Sequence, residues 1–171
     1  MADDRGAFLK LLHVPTLKQL GLESDVAESY VSSSRRGVIR GLHFQAPPSD
    51  HVKMVCCLSG RARDALLDLR RHSPTYGKAL TIDLDGDDAC IVYIARGVAH
   101  GFAAWEDDTD MLYMVSSAHD PERDLGAHWD SAGIEWWPLD WKPEAPVVSP
   151  RDAALPAWPE IDIPFDFSLA T

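Results

Sequence analysis

Two side chains able to do chemistry stand three positions apart in Gly37-Val-Ile-Arg-Gly-Leu-His-Phe-Gln45: Arg40 and His43. A histidine exchanges protons near neutral pH, and an arginine grips a phosphate or carboxylate with its planar fork. Lys53 interrupts the apolar run Val52-Lys-Met-Val-Cys-Cys-Leu58. A buried lysine is costly unless it is paired or used. His100 follows an apolar strand, in Gly97-Val-Ala-His-Gly-Phe102. Tyr113, in Met111-Leu-Tyr-Met-Val115, reads on its own as a core tyrosine.

These residues need strands to hold them. The spacing of apolar runs and turn residues predicts strands at 37–45, 52–59, 61–69, 78–84, 89–95, 98–104 and 109–116. Many short strands of this kind imply an all-β sandwich or barrel. In a regular strand His43 shares a face with Gly41, and Arg40 points the other way. The two serve one pocket only if Gly41 marks a bulge. A short helix is expected at 15–21 with Pro15 in its first turn. A second should start at Ser149-Pro-Arg-Asp152, with a Ser cap, a Pro first and an acid in the first turn. The last third is rich in Trp and Pro and is expected to pack on the barrel as ordered loop. One domain over 1–171 is expected, with its barrel core at about 35–118 and 119–171 packed on it.

Bulk composition narrows the function. Hydrophobic residues make up 46% of the 171, enough for one sizeable core. The net charge of −11 argues against nucleic acid and anionic membranes as partners. A local cationic pocket for a small anion remains compatible with it. Cys56, Cys57 and Cys90 have no metal-type spacing and read as buried free thiols. With no signal-peptide pattern and no long apolar stretch, the expected location is the cytoplasm. His43, His51 and His100 are a weak metal signal, because no His-x-His pair or following Glu accompanies them. Neither a metal nor another cofactor is expected.

Taken together, the segments resemble the dTDP-4-dehydrorhamnose 3,5-epimerase family of cupin-fold nucleotide-sugar epimerases. The matching stretches include Asp4-Arg-Gly6, Gly37 to Gln45, Lys53, Asp64 to Arg70, Ser73-Pro-Thr-Tyr-Gly77, Gly97 to Phe102, Leu112-Tyr113, Gly133-Ile-Glu-Trp136 and Ser149 to Ala153. They occur in family order. The resemblance implies a mainly β, double-stranded β-helix (a cupin or jelly-roll barrel) with a few short helices. It implies a metal-free homodimer that acts on a nucleoside-diphospho-4-keto-6-deoxy sugar. Carried over by motif, His43 is the proton-abstracting base and Asp152 its partner carboxylate. Tyr113 is the proton donor on the opposite sugar face, and Lys53 lies near the C4 oxygen. Arg5, Arg40, His100 and Arg151 match substrate contacts.

The departures fall on nucleotide recognition. Lys10 stands where the family usually has Glu. Glu28-Ser-Tyr30 stands for its Gln-x-Asn, Val31 for a His, and Met114 for a Lys. Lys10, Glu28 and Tyr30 are therefore candidate binding positions whose altered types open GDP-, CDP- or dTDP-linked sugars as substrates. Two other functions fit the same residues: a cupin 3,4-ketoisomerase and a non-catalytic nucleotide-sugar-binding cupin. A metal-dependent cupin oxygenase is a weaker alternative.

Overall fold

The computed structural model describes residues 2–4, 6–88 and 90–167. In chain order the elements are β1 (Ala2–Asp3), β2 (Gly6–Ala7), α1 (Val14–Gln19), β3 (Glu28–Ser34), β4 (Ile39–Gln45), β5 (Lys53–Ser59) and β6 (Arg61–Asp68). They continue with β7 (Ala79–Asp85), β8 (Val92–Ile94), β9 (Val98–Ala104), β10 (Thr109–Val115), β11 (Asp124–Gly126) and α2 (Pro150–Ala153). Two antiparallel sheets carry the architecture, ordered β3-β10-β5-β8 and β11-β4-β9-β6-β7. All seven expected strands are present within a few residues of their expected bounds. The barrel also recruits β3 and β11, which lie outside 35–118.

Strand alternation sorts the side chains into two cores. Between the sheets, Val55, Val92 and Met111 from the smaller sheet meet Ala62, Leu84 and Phe102 from the larger. On the outer face of the larger sheet, Leu42, Phe44, Leu67, Ala99 and Ala103 pack beneath Trp136, Ile163 and Phe165. The Trp-rich last third therefore roofs the larger sheet, as its composition suggested. Trp105 Nε1 donates to the Trp136 carbonyl at 2.9 Å, and Trp136 Nε1 donates to the Trp129 carbonyl at 3.1 Å. Burying these aromatics without satisfying the indole N–H would be costly, so the loop is held in one arrangement.

The bulge at Gly41 is present. Arg40 pairs with Phe102 and His43 with His100, so three steps on β4 face two on β9. The extra residue reverses the parity and turns Arg40 and His43 to the same face. Gly41 has φ +117, and a Cβ there would lie 2.5 Å from Gly101 Cα. Only a glycine accepts both the angle and the contact.

Both helices form. α1 begins with Pro15 in its first turn, and Ser149 Oγ accepts from the Asp152 N–H at the start of α2. Cys56 and Cys57 are buried on opposite faces of β5, whereas Cys90 is exposed, against the expectation of three buried thiols. Cys90 falls within the strand expected at 89–95, but β8 begins only at Val92, which leaves Cys90 in exposed coil before it.

Candidate active site

Side chains from the inner faces of the two sheets line a cavity of about 410 Å³. The larger sheet contributes His43 and Gln45 from β4 and His100 and Phe102 from β9. The smaller sheet contributes Lys53 from β5, Tyr113 and Val115 from β10, and Glu28, Tyr30 and Ser32 from β3. Register explains why these side chains meet. Tyr113 pairs with Val55 and with Tyr30, and Val115 pairs with Lys53 and with Glu28. Residues opposite one another in antiparallel strands share a face.

Asp152 lies behind His43. Its Oδ1 accepts from His43 Nε2 at 2.7 Å, and its Oδ2 accepts from the Gly41 N–H at 3.1 Å. Burial pushes the Asp152 carboxyl up, but the His43 hydrogen bond and charge and the Gly41 N–H outweigh it. The group is held below the usual carboxylate range. An ionised Asp152 fixes the proton of neutral His43 on Nε2. Nδ1 is left as the lone pair on a residue that lines the cavity. The capped turn of α2 sets this carboxylate, which explains how a residue 109 positions away reaches His43.

A second buried pair stands beside the first. His100 Nε2 and Asp64 Oδ1 are 2.6 Å apart, with side chains 3% and 0% exposed. Burial lowers the His100 pKa, with Asp64 opposing and Lys53 and His43 assisting.

Lys53 is buried at 8% exposure. Burial brings its pKa down to about 8, against the pull of Asp64 and Asp124. Tyr113 is buried on the wall opposite His43, and burial, Asp64 and Tyr30 keep its phenol protonated far above neutrality. Its ring stacks on Tyr30 at 4.8 Å and meets His100 edge-on at 6.0 Å. Burial, Glu28 and Asp124 push Tyr30 itself up to about 12.

The cations are tethered. Arg40 Nε donates to Ser34 Oγ at 3.0 Å and Nη2 to the Ser33 carbonyl at 3.1 Å. Arg151 pairs with Asp124 at 2.8 Å. Both line the cavity. Such anchoring removes side-chain freedom before an anion arrives.

The sequence profile of the dTDP-4-dehydrorhamnose 3,5-epimerase family matches residues 1–160. The chain belongs to this family. A dTDP-4-dehydrorhamnose 3-epimerase of Streptomyces niveus is 37% identical over 152 residues, covering 88% of this chain and 72% of the relative. The rmlC epimerase of Mycobacterium tuberculosis superposes with a TM-score of 0.90 at 32% identity, over 98% of this chain and 86% of the other. The Legionella pneumophila dTDP-6-deoxy-D-glucose-3,5-epimerase, solved with dTDP-4-keto-L-rhamnose, gives 0.86 at 30% identity, over 94% and 84%. The resemblance carried by the motifs is therefore correct, and so is the cupin-like, mainly β fold. Like its family, the chain is an isomerase, a carbohydrate epimerase.

Of the site residues named from the sequence, His43, Lys53, Tyr113, Arg40, His100, Arg151, Glu28 and Tyr30 line one cavity, with Asp152 immediately behind. Lys10 does not join them. It is exposed in the coil before α1, away from the cavity walls, because the chain there contributes no strand to either sheet. Arg5 lies outside the described residues.

The cavity also holds residues that the sequence reading did not assign to it: His51, Gln45, Ser117, His119 and Asp124. The signal for His51 was available. It stands two residues before Lys53, the spacing that puts two side chains on one face wherever a strand extends that far.

Among the described residues no cluster of three or more His, Cys, Asp and Glu side chains has metal-holding geometry, and no helix is long and apolar enough to cross a membrane.

Proposed function

We propose that this epimerase inverts carbon next to the C4 ketone of a nucleoside-diphospho-4-keto-6-deoxy sugar, with His43 as base and Tyr113 as acid. The observation that carries this reading is their position on facing sheets across one cavity. Inversion requires a proton to leave one face of a carbon and return to the other.

His43 Nδ1 takes the C3 or C5 hydrogen, and the electron pair moves into the C4 carbonyl as an enolate. Asp152 stabilises the imidazolium that forms. The buried Lys53 ammonium stabilises the charge gathering on the C4 oxygen. The Tyr113 hydroxyl then protonates the carbon from the far side, and solvent returns the proton from His43 to Tyr113. Arg40 and Arg151 hold the diphosphate, so that the ring is positioned while it reacts. His100, backed by Asp64, contacts the sugar from the β9 wall.

A ketoisomerase would move the carbonyl to C3 and has no need of an acid on the opposite wall. The two are separated by trapping the product with borodeuteride. Deuterium at C4 of a sugar with altered configuration supports epimerisation, whereas deuterium at C3 supports isomerisation. An unaltered sugar labelled at C4 would leave a binding protein.

Lys53 gives the reading a pH signature. With its pKa near 8, the ammonium is present at neutrality and disappears as pH rises. Turnover is expected to fall above about pH 8. Removing one such donor elsewhere costs about 10²–10³-fold in kcat, and Lys53→Met should lose about as much. Stability moves the other way. Between about 8 and the ordinary value of 10.5 the unfolded chain binds the proton that folded Lys53 has released. Stability contributed by this group therefore rises with pH across that window. Lys53→Met should be more stable at pH 7, by roughly 1–3 kcal/mol, because a buried charge with no hydrogen-bond partner among the described residues is gone. Paired melting curves and pH–rate profiles check both.

Glu28 puts a carboxylate in a cavity that must hold a diphosphate. Glu28→Gln should lower KM severalfold at low salt with little change in kcat, and the gain should shrink as salt rises. Steady-state kinetics at two ionic strengths decides this. The same assays with dTDP-, GDP- and CDP-linked substrates identify the nucleoside.

A homodimer in the cytoplasm completes the proposal. Exposed Val31, Leu80 and Leu125 lie on β3, β7 and β11, which edge the two sheets. All three cysteines are free, as suits a reducing compartment.

A further inference from the structure

We propose that His51 is a second, uncharged hydrogen-bond donor in this site, sharing the sugar's C4 oxygen with Lys53. The inference rests on the epimerase reading above and extends it to a residue with no role in that account.

The first support is position. His51 stands two residues before Lys53, in the coil that leads into β5. Both line the main cavity and also the small pocket that opens from it beside His43. A group reaching the oxygen next to Lys53 has to come from this part of the cavity wall.

The second is the orientation of the ring. The Gln45 side chain is fixed by its own partners: Oε1 accepts from the Asp120 N–H at 2.7 Å, and Nε2 donates to the Ser49 carbonyl at 2.7 Å. Its remaining N–H faces three acceptors, of which His51 Nδ1 at 3.2 Å is the nearest, ahead of Ser117 Oγ and the Ala118 carbonyl at 3.3 Å each. An amide nitrogen only donates, so Nδ1 must accept. Ser117 Oγ, 3.3 Å from Nδ1, spends its own proton on the Ser49 carbonyl at 2.7 Å and leaves Gln45 to supply the bond. With Nδ1 assigned as the acceptor in this nearest contact, the imidazole proton is on Nε2. That nitrogen has no partner among the described residues, on a ring that lines the cavity.

The third is charge. A protonated His51 would face Lys53 at the start of β5, Arg96 and His119. Burial first, and then these three groups, push its pKa down to about 4. His51 is therefore neutral near pH 7. It can donate to an oxygen as negative charge develops there, but it is not a competing base to His43. A neutral donor beside a cation gives the oxyanion two partners with only one buried charge to desolvate.

The test compares the wild type with His51→Leu, His51→Gln and His51→Glu, using whichever dTDP-, GDP- or CDP-linked 4-keto-6-deoxyglucose the wild type turns over fastest. Loss of the C3 and C5 hydrogens in D₂O is followed alongside kcat, KM and thermal unfolding. Gln and Glu are the same size and both accept from Gln45, but only Gln donates toward the sugar. His51→Leu and His51→Glu should slow exchange at both carbons roughly 10–100-fold through kcat, since one of two shared donors is lost. His51→Gln should stay within roughly threefold of wild type and keep its pH profile.

The inference is overturned by a His51→Glu variant that folds and exchanges at the wild-type rate, or by a His51→Gln variant as slow as Glu. It is also overturned if the effect falls on KM alone, which would mark an ordinary hydroxyl contact. An acid limb of the wild-type profile that vanishes in His51→Gln would make His51 a base and contradict it as well. If the wild type itself exchanges neither hydrogen, the epimerase reading falls first and takes this inference with it.

Discussion

His43→Ala should leave the C3 and C5 hydrogens of the substrate in place during incubation in D₂O. General-base assistance is worth roughly 10²–10⁴-fold, so exchange at both carbons should fall by about that much. Both positions fall together because one lone pair, Nδ1 of His43, serves the cavity, while Nε2 is committed to Asp152 at 2.7 Å. The fold should survive the change. His43 is half-buried, and its loss leaves Asp152 still bonded to the Gly41 N–H and to the cap of α2. An unchanged melting temperature with exchange lost separates a chemical role from a structural one. Exchange persisting at one carbon would mean that a second base operates on it.

Tyr113→Phe separates the two halves of the reaction. The base remains, so hydrogens should still wash out, at a rate within about tenfold of wild type. Delivery of the proton to the opposite face loses its acid, and inverted product should form about 10²–10⁴-fold more slowly. The ring keeps its volume, its stack on Tyr30 and its edge contact with His100, so stability should change little. Counting exchange events per inverted product gives a ratio near one for the wild type and far above one for the variant. A fully active Tyr113→Phe would remove Tyr113 from the mechanism.

What could be read from the chain, and what could not, follows from the physics of each segment. The seven strands over 37–116 were visible because alternation and turn residues mark strands that bury a face. β3 was not, because its cavity face carries Glu28, Tyr30 and Ser32 and its outer face Ser29, Val31 and Ser33. A strand that lines a polar cavity at a sheet edge has no apolar period to detect. β11, of three residues, is held by its pairing with β4 rather than by a pattern of its own.

The site was legible where motif and fold coincide. Arg40 and His43 stood at conflicting parity in sequence, and the glycine between them carried the answer in the bulge at Gly41. Asp152 was reached through the cap signature at Ser149 and the family resemblance together, because no local pattern links positions 43 and 152. His51 was weighed in sequence only as a weak metal candidate, because the clamp of Gln45, Ser49, Ser117 and Asp120 that orients its ring is assembled only by the folded loops. Lys10, a departure from the family pattern, lies in exposed coil before α1 and does not line this cavity.

The central claim is that one His–Asp base and one facing tyrosine invert carbon beside a ketone. The most direct test is proton NMR of the wild-type enzyme with dTDP-, GDP- and CDP-linked 4-keto-6-deoxyglucose in D₂O. The account predicts that the C3 signal, the C5 signal or both disappear with at least one of these substrates, while an inverted sugar accumulates with deuterium at each affected carbon. Intact C3 and C5 signals with all three, from folded protein that binds the nucleotide sugar, would contradict it and leave a binding protein on an epimerase scaffold.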